Sequence, residues 1–355
     1  MRRPDRRGIL ILAAAVMALG IGLHGLAHAR ATFQIVFADG MAEGFNDPGA
    51  PDPASTAGGN AGSTLGDQRR IAFSRATQIW ADQLDSKVPI VVAVEFDPTL
   101  TCNAGTANLG SAGTNSVHAN FMGAPVSDTW YPAALANALA GTDLAPGTGD
   151  IDASFNSALD GGVCAFPLVW YYGLDGIPPP GTLDFISIAL HELAHGLGFQ
   201  TFMDPATGAK FGGLDDAFLL WLEDHTTGEL LSDMASDAER AAASINTGNL
   251  HWIGPDVVAA AGGLTSGRHP SGHVEMHAPD PLAPGSSVSH FSTSLSPSEL
   301  MEPSFTGANQ DVGLTRQLFQ DIGWPTAAPI VAPPAPAGGG GGGGGGGCFL
   351  DALGG

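Results

Sequence analysis

The sequence predicts an α+β fold: a small twisted mixed sheet, a helix bearing two histidines, and a mostly helical and loop C-terminal subdomain. Three observations support this. Residues 90–96 are almost wholly apolar and rich in β-branched side chains, as a central strand should be. Leu183, Ile186, Leu190, Leu193 and Leu197 recur at 3-4-3-4 spacing, which gives a helix one apolar stripe. Beyond residue 252 the chain becomes rich in Gly and Pro, a composition that favours loops.

The elements can be justified in chain order. Residues 1–29 read as an export signal: Arg2, Arg3, Arg6 and Arg7, an apolar run from Gly8 to Leu23, then the small-x-small site Ala27-His28-Ala29. The alternative is an uncleaved anchor, although the run is short for a bilayer span. Residues 30–324 are expected to form one domain. Within it, 33–38 is a short apolar strand and 44–66 an irregular loop. Residues 67–84 are helical, because Ala72, Ala76, Ile79, Trp80 and Leu84 share a face. Residues 151–155 alternate apolar and polar, as a strand with one buried face should.

Pro178-Pro179-Pro180-Gly181 breaks the chain, and Thr182 is the expected N-cap of a helix over 183–197, ended by Gly196 or Gly198. Residues 215–222 and 236–245 read as further helices, and 253–289 as mostly loop. A closing helix over 314–322 is stopped by Gly323 and Pro325. Residues 325–355 form a Pro/Gly-rich flexible tail with ten consecutive glycines before Cys348. That tail reads either as a spacer to a surface-attachment signal or as a disordered end.

The chain has 355 residues, of which 14% are charged, with 51 glycines and 26 prolines. This suits a loop-rich folded protein. Without residues 1–29 it holds 9 basic and 34 acidic residues, a net charge of −25. Such a surface repels nucleic acid and anionic membranes, so neither is an expected partner, and no stable membrane insertion is expected after signal cleavage. The expected location is secreted, periplasmic or at the cell surface. Cys102 and Cys164 are either bonded to each other, as export favours, or buried thiols.

The chemistry resides in His191-Glu192-Leu193-Ala194-His195-Gly196-Leu197-Gly198. Residues four apart share a helix face, so His191 and His195 can reach one metal ion. They point roughly 140° from the centre of the apolar stripe, so one face packs while the other meets a cleft. Glu192 then stands where a general base could take a proton from zinc-bound water. A catalytic zinc needs a third protein ligand and one open position. A histidine six residues after His195 would be the usual metzincin choice, but Thr201 stands there. His290, in Ser289-His290-Phe291, is favoured because Glu299-Leu300-Met301-Glu302-Pro303 follows it. His225, His251, His269, His273 and His277 remain rivals, as do Glu223 and Asp224 in a thermolysin-like arrangement.

A histidine helix, a long insertion, then Ser-His and Glu-Leu-Met-x-Pro resembles the leishmanolysin-like metallopeptidases, a metzincin branch. The resemblance covers 183–199 and 289–324, including Phe319-Gln320-Asp321-Ile322-Gly323-Trp324. It implies a zincin/metzincin-like fold for a catalytic domain over 30–324 with an insertion at about 200–288. It also implies one catalytic Zn2+ on His191, His195 and His290, Glu192 as general base, and Met301 in a turn beneath the metal. The 94 residues between His195 and His290 are not explained by it. The expected function is a secreted zinc endopeptidase acting on protein or peptide substrates, with the 151–155 strand pairing an extended substrate. Open alternatives are a zinc-binding protein without turnover and a metal hydrolase of non-peptide bonds.

Overall fold

Alternation of branched apolar residues builds the main sheet. Phe33–Phe37, Ile90–Asp97 and Ile151–Asn156 run parallel, and Gly110–Thr114 pairs antiparallel with the third at the sheet's edge. The register sets Val92 beside Ile151, Val94 beside Ala153 and Phe96 beside Phe155, so one face is a continuous apolar surface. The 90–96 strand is central, as expected, although its opposite face is only half-buried. The computed structural model describes residues 30–160 and 164–326; the expected export signal and the tail from 327, with Cys348, lie outside them.

Two helices cover the apolar face. Leu65–Ala81 starts two residues earlier than expected, because the Thr64 hydroxyl accepts from Asp67 N at 3.0 Å. The motif helix, Phe185–Leu197, lies beside it, and Trp80 Nε1 donates to Leu190 O at 3.0 Å. All thirteen residues of the motif helix are buried. Its N-cap is Asp184 rather than Thr182, whose segment Thr182–Asp184 is a short strand paired with Val169–Tyr171. A buried carboxylate that accepts from both Ser187 N and Ser187 Oγ satisfies the helix start better than the hydroxyl two residues earlier.

The two glycines of the motif divide the work between them. Gly198 takes φ +124° and ends the helix. Gly196 lies inside the helix, where its bare backbone presses against Ile151.

The expected helix over 215–222 is absent. Asp215–Asp216 is a short strand, Leu219–Trp221 a single 3-10 turn, and Leu222–Asp224 a strand. The buried Asp216 carboxylate accepts from Phe218 N, Leu219 N, Phe202 N and Thr201 Oγ1, which fixes a tight turn where an α-helix would have to continue. A second sheet follows in the order Glu229–Leu230, Leu222–Asp224, Leu250–Trp252, Val274–Glu275. The expected helix over 236–245 is Asp237–Ala243, with a capping box between Ser236 and Glu239. Residues 253–289 are mostly loop, but hold the short helix Pro255–Ala260 and the strand Val274–Glu275.

The closing helix is Thr315–Asp321, after which Trp324 Nε1 donates to Leu197 O at 2.8 Å. One buried apolar cluster runs from Ala31 to Trp324. Cys102 and Cys164 are joined in a disulfide. Among the described residues no helix is long and apolar enough to cross a membrane.

Candidate metal centre

The fold brings His191, His195 and His290 together. Their Nε2 atoms lie 3.1 Å (His191–His195) and 3.2 Å (each to His290) apart. Every Nδ1 is already engaged with a backbone carbonyl: His191 with Leu300 O, His195 with Phe199 O, His290 with Ser286 O, at 2.8–2.9 Å. A carbonyl only accepts, so each Nδ1 carries the hydrogen and each Nε2 presents a lone pair. Three lone pairs converging at this distance repel one another unless a cation lies between them. At Zn–N distances of about 2.0–2.1 Å, tetrahedral ligands stand roughly 3.4 Å apart, close to the spacing seen. Burial pushes His191 and His290 well below the usual imidazole range and His195 down to about 4, so all three are neutral donors at pH 7.

Glu192 is buried, with Oε1 lacking any hydrogen-bond partner. Burial pushes its carboxyl up to about 8, opposed by a hydrogen bond from the Ala112 backbone. That amide belongs to the edge strand Gly110–Thr114. A Cβ at Gly110 would stand 3.1 Å from Glu192 Cγ, so a side chain there would crowd the carboxylate. Gly110, Ser111, Ala112 and Gly113 line a cleft of about 440 Å³ together with Glu192 and His195. Thr201, six residues after His195, lines the same cleft and donates to Asp216 Oδ2 at 2.8 Å.

The turn after His290 is built from its own carboxylates. Glu302 accepts from Glu299 N and Ser298 Oγ, and Glu299 accepts from Leu314 N. This presents Leu300 O to His191, while Met301 O accepts from Phe291 N at 2.8 Å. The turn thus positions His191 and the neighbour of His290 together. Met301 itself is fully buried.

Most of the rival ligands lie elsewhere. His225, His251, His269 and His273 gather with Glu223 in a separate cluster. His277 donates its backbone N–H to His290 O at 2.9 Å. The 151–155 strand is paired on both sides, so it is not open to substrate; the exposed edge is Gly110–Thr114. Sequence reasoning missed that edge strand because Gly-Ser-Ala-Gly-Thr has low strand propensity. It also missed the three orienting carbonyls, since a main-chain acceptor leaves no mark in a sequence. Comparison with known proteins finds no matching family model, no matching curated protein and no matching solved structure.

Proposed function

We propose that this chain is a secreted zinc-dependent endopeptidase of metzincin-like architecture, with His191, His195 and His290 as the metal ligands. The observation that carries this reading is the convergence of three Nε2 lone pairs beside a buried carboxylate with one unpaired oxygen, on the floor of an edge-strand cleft. A zinc ion held there would supply Lewis acidity, lowering the pKa of a bound water towards about 7 and polarising a carbonyl.

The remaining work falls to the chain's own residues. The free edge of Gly110–Thr114 aligns an extended peptide by main-chain hydrogen bonds. Glu192 accepts the proton of the attacking water and returns it to the leaving nitrogen. The high carboxyl pKa set by burial suits a group that must hold a proton between those two steps, and a cation held by the three histidines would lower it so that Glu192 begins as a base. The Ala112 amide fixes the carboxylate against the strand that aligns the substrate. An extended strand edge selects a peptide over a small ester or amide, which favours the endopeptidase over the other readings. The disulfide and the predicted signal accord with an exported enzyme.

The test compares casein or gelatin hydrolysis by wild type and Glu192→Ala. The expected result is zinc retained in both and activity lowered by about 10²–10⁴-fold in the variant. Activity that survives the substitution refutes the mechanism. Zinc retained with no hydrolysis by either protein would indicate a binding role instead.

A further inference from the structure

The insertion holds a cluster that the catalytic reading does not use. Glu223 lies in the strand Leu222–Asp224, His225 directly follows it, and His273 directly precedes the strand Val274–Glu275. Between those strands runs Leu250–Trp252, whose His251 stands in register with Glu223. Alternation puts Glu223 and His225 on one face. The His251 ring stacks on His225 at 3.7 Å, and the His269 ring meets His225 edge-on at 4.5 Å. Four imidazoles and a carboxylate thus occupy one end of a small sheet.

Three ligand atoms converge. Glu223 Oε1 is 3.1 Å from His225 Nε2, His225 Nε2 is 2.9 Å from His273 Nδ1, and Glu223 Oε1 is 3.7 Å from His273 Nδ1. Hydrogen bonding serves this arrangement poorly. His225 Nε2 carries at most one hydrogen, yet two acceptor-capable atoms face it. If His273 Nδ1 donates to His225 Nε2 instead, Glu223 faces a lone pair. A cation satisfies all three at once. Beside them His251, only 4% exposed, packs its ring flat against His225 and walls off one side of the cluster.

We propose that Glu223, His225 and His273 bind a second divalent transition-metal ion, of the zinc class, that braces the segment presenting His290. Two imidazoles and one carboxylate suit zinc and its neighbours, whereas calcium and magnesium require mostly oxygen ligands. Cys102 and Cys164, the cysteines among the described residues, are bonded to each other, so thiolate coordination is not in play.

The bracing follows from connectivity. His273 sits in a tight turn where His269 N donates to His273 O and Gly272 N to His269 O. Four residues further on, His277 N donates to His290 O and His277 O accepts from Val288 N. Met276 bridges to Phe291, and Ser292 N donates to Glu275 O. An ion linking His273 to the strand bearing Glu223 therefore anchors the chain that holds the third catalytic histidine.

The test is titration of EDTA-stripped protein with Zn2+, with bound metal counted by mass spectrometry. Wild type is expected to take two equivalents. His225→Ala/His273→Ala should take one and keep its circular dichroism spectrum. His290→Ala should also take one, the loss now falling at the other site, and Zn2+ should still raise its Tm. Glu223→Gln, nearly isosteric, should weaken the second equivalent by about tenfold or more. Because His290→Ala isolates the second site, the outcome does not depend on peptidase activity. A single equivalent in wild type that survives His225→Ala/His273→Ala overturns the proposal. So does a second equivalent that persists in both His225→Ala/His273→Ala and Glu223→Gln.

Discussion

Replacing Gly196 by alanine tests how the motif helix is seated. A Cβ at that position would stand 2.4 Å from Ile151 Cγ2 and 2.9 Å from Cδ1 and Cγ1. Comfortable carbon–carbon contact is about 3.5–4.0 Å, so the overlap reaches roughly 1 Å or more. Neither partner can yield freely: Ile151 is fully buried in a strand paired on both sides, and the helix is buried along its whole length. Helix propensity favours alanine by about 1 kcal/mol. Overpacking costs about 1–3 kcal/mol, and three close contacts place this site at the upper end. The net expectation is a loss of about 1–2 kcal/mol, or roughly 2–8 °C in Tm, read by thermal melting and urea titration. In an Ile151→Ala background the added methyl enters the vacated space, so the same substitution should become stabilising. The coupling between the two sites should reach about 2 kcal/mol. A Gly196→Ala variant that stabilises the wild-type background by about 1 kcal/mol would refute this packing argument.

Further outcomes follow from the same contacts. In metal-free protein, Glu192→Gln removes a carboxyl whose pKa is about 8 folded against 4.5 unfolded. The folded state holds that proton longer, so Glu192 costs stability increasingly as pH rises from about 4.5 to 8. The Gln variant should therefore gain on wild type across that window, by up to about 5 kcal/mol at about 1.36 per unit, and a pH-independent difference between their urea midpoints counts against it. Reducing Cys102–Cys164, which are 62 residues apart, should cost about 4 kcal/mol by loop-closure entropy; an unchanged denaturant midpoint under dithiothreitol would exclude that role. Asp184→Ala should destabilise by about 2 kcal/mol or more, since it strips the helix cap and leaves Ser187 and Gln310 without their acceptor. Asp184→Asn should cost less, and equal melting temperatures for the two would exclude the cap as the cause.

What could be read from sequence was local and periodic. The strands near 33, 90 and 151 and the helices near 67, 183, 236 and 315 all announce themselves through side-chain spacing. His191, Glu192 and His195 needed only a helix to be related. Failures came where tertiary contacts override spacing. Residues 215–222 are apolar enough for a helix, but Asp216 spends its carboxylate on four donors and turns the chain. Thr182 has the composition of a cap, yet Asp184 is the residue buried against Ser187 and Gln310. The edge strand Gly110–Thr114 is held by pairing with Ile151–Asn156, a long-range cause that its own composition does not show. His225, His251, His269 and His273 read in sequence only as rivals for the third ligand, because their proximity to one another depends on strand register.

The 94-residue excursion between His195 and His290 poses a physical problem: the proposed third ligand must return to within 3.2 Å after a long detour. Entropy alone does not forbid this, because the length-dependent part of loop closure is only about 4 kcal/mol at that length. Precision is harder, and the excursion itself supplies it. His290 is held from one side by His277 N and from its neighbour's side by Met301 O on Phe291. Its Nδ1 is fixed by Ser286 O. His277 in turn continues the strand Val274–Glu275, which belongs to the second sheet and its histidine cluster. The excursion therefore acts as a small sheet whose last strand delivers one imidazole. On this view, loosening the second sheet should lower metal affinity at His191, His195 and His290 without touching any of those residues.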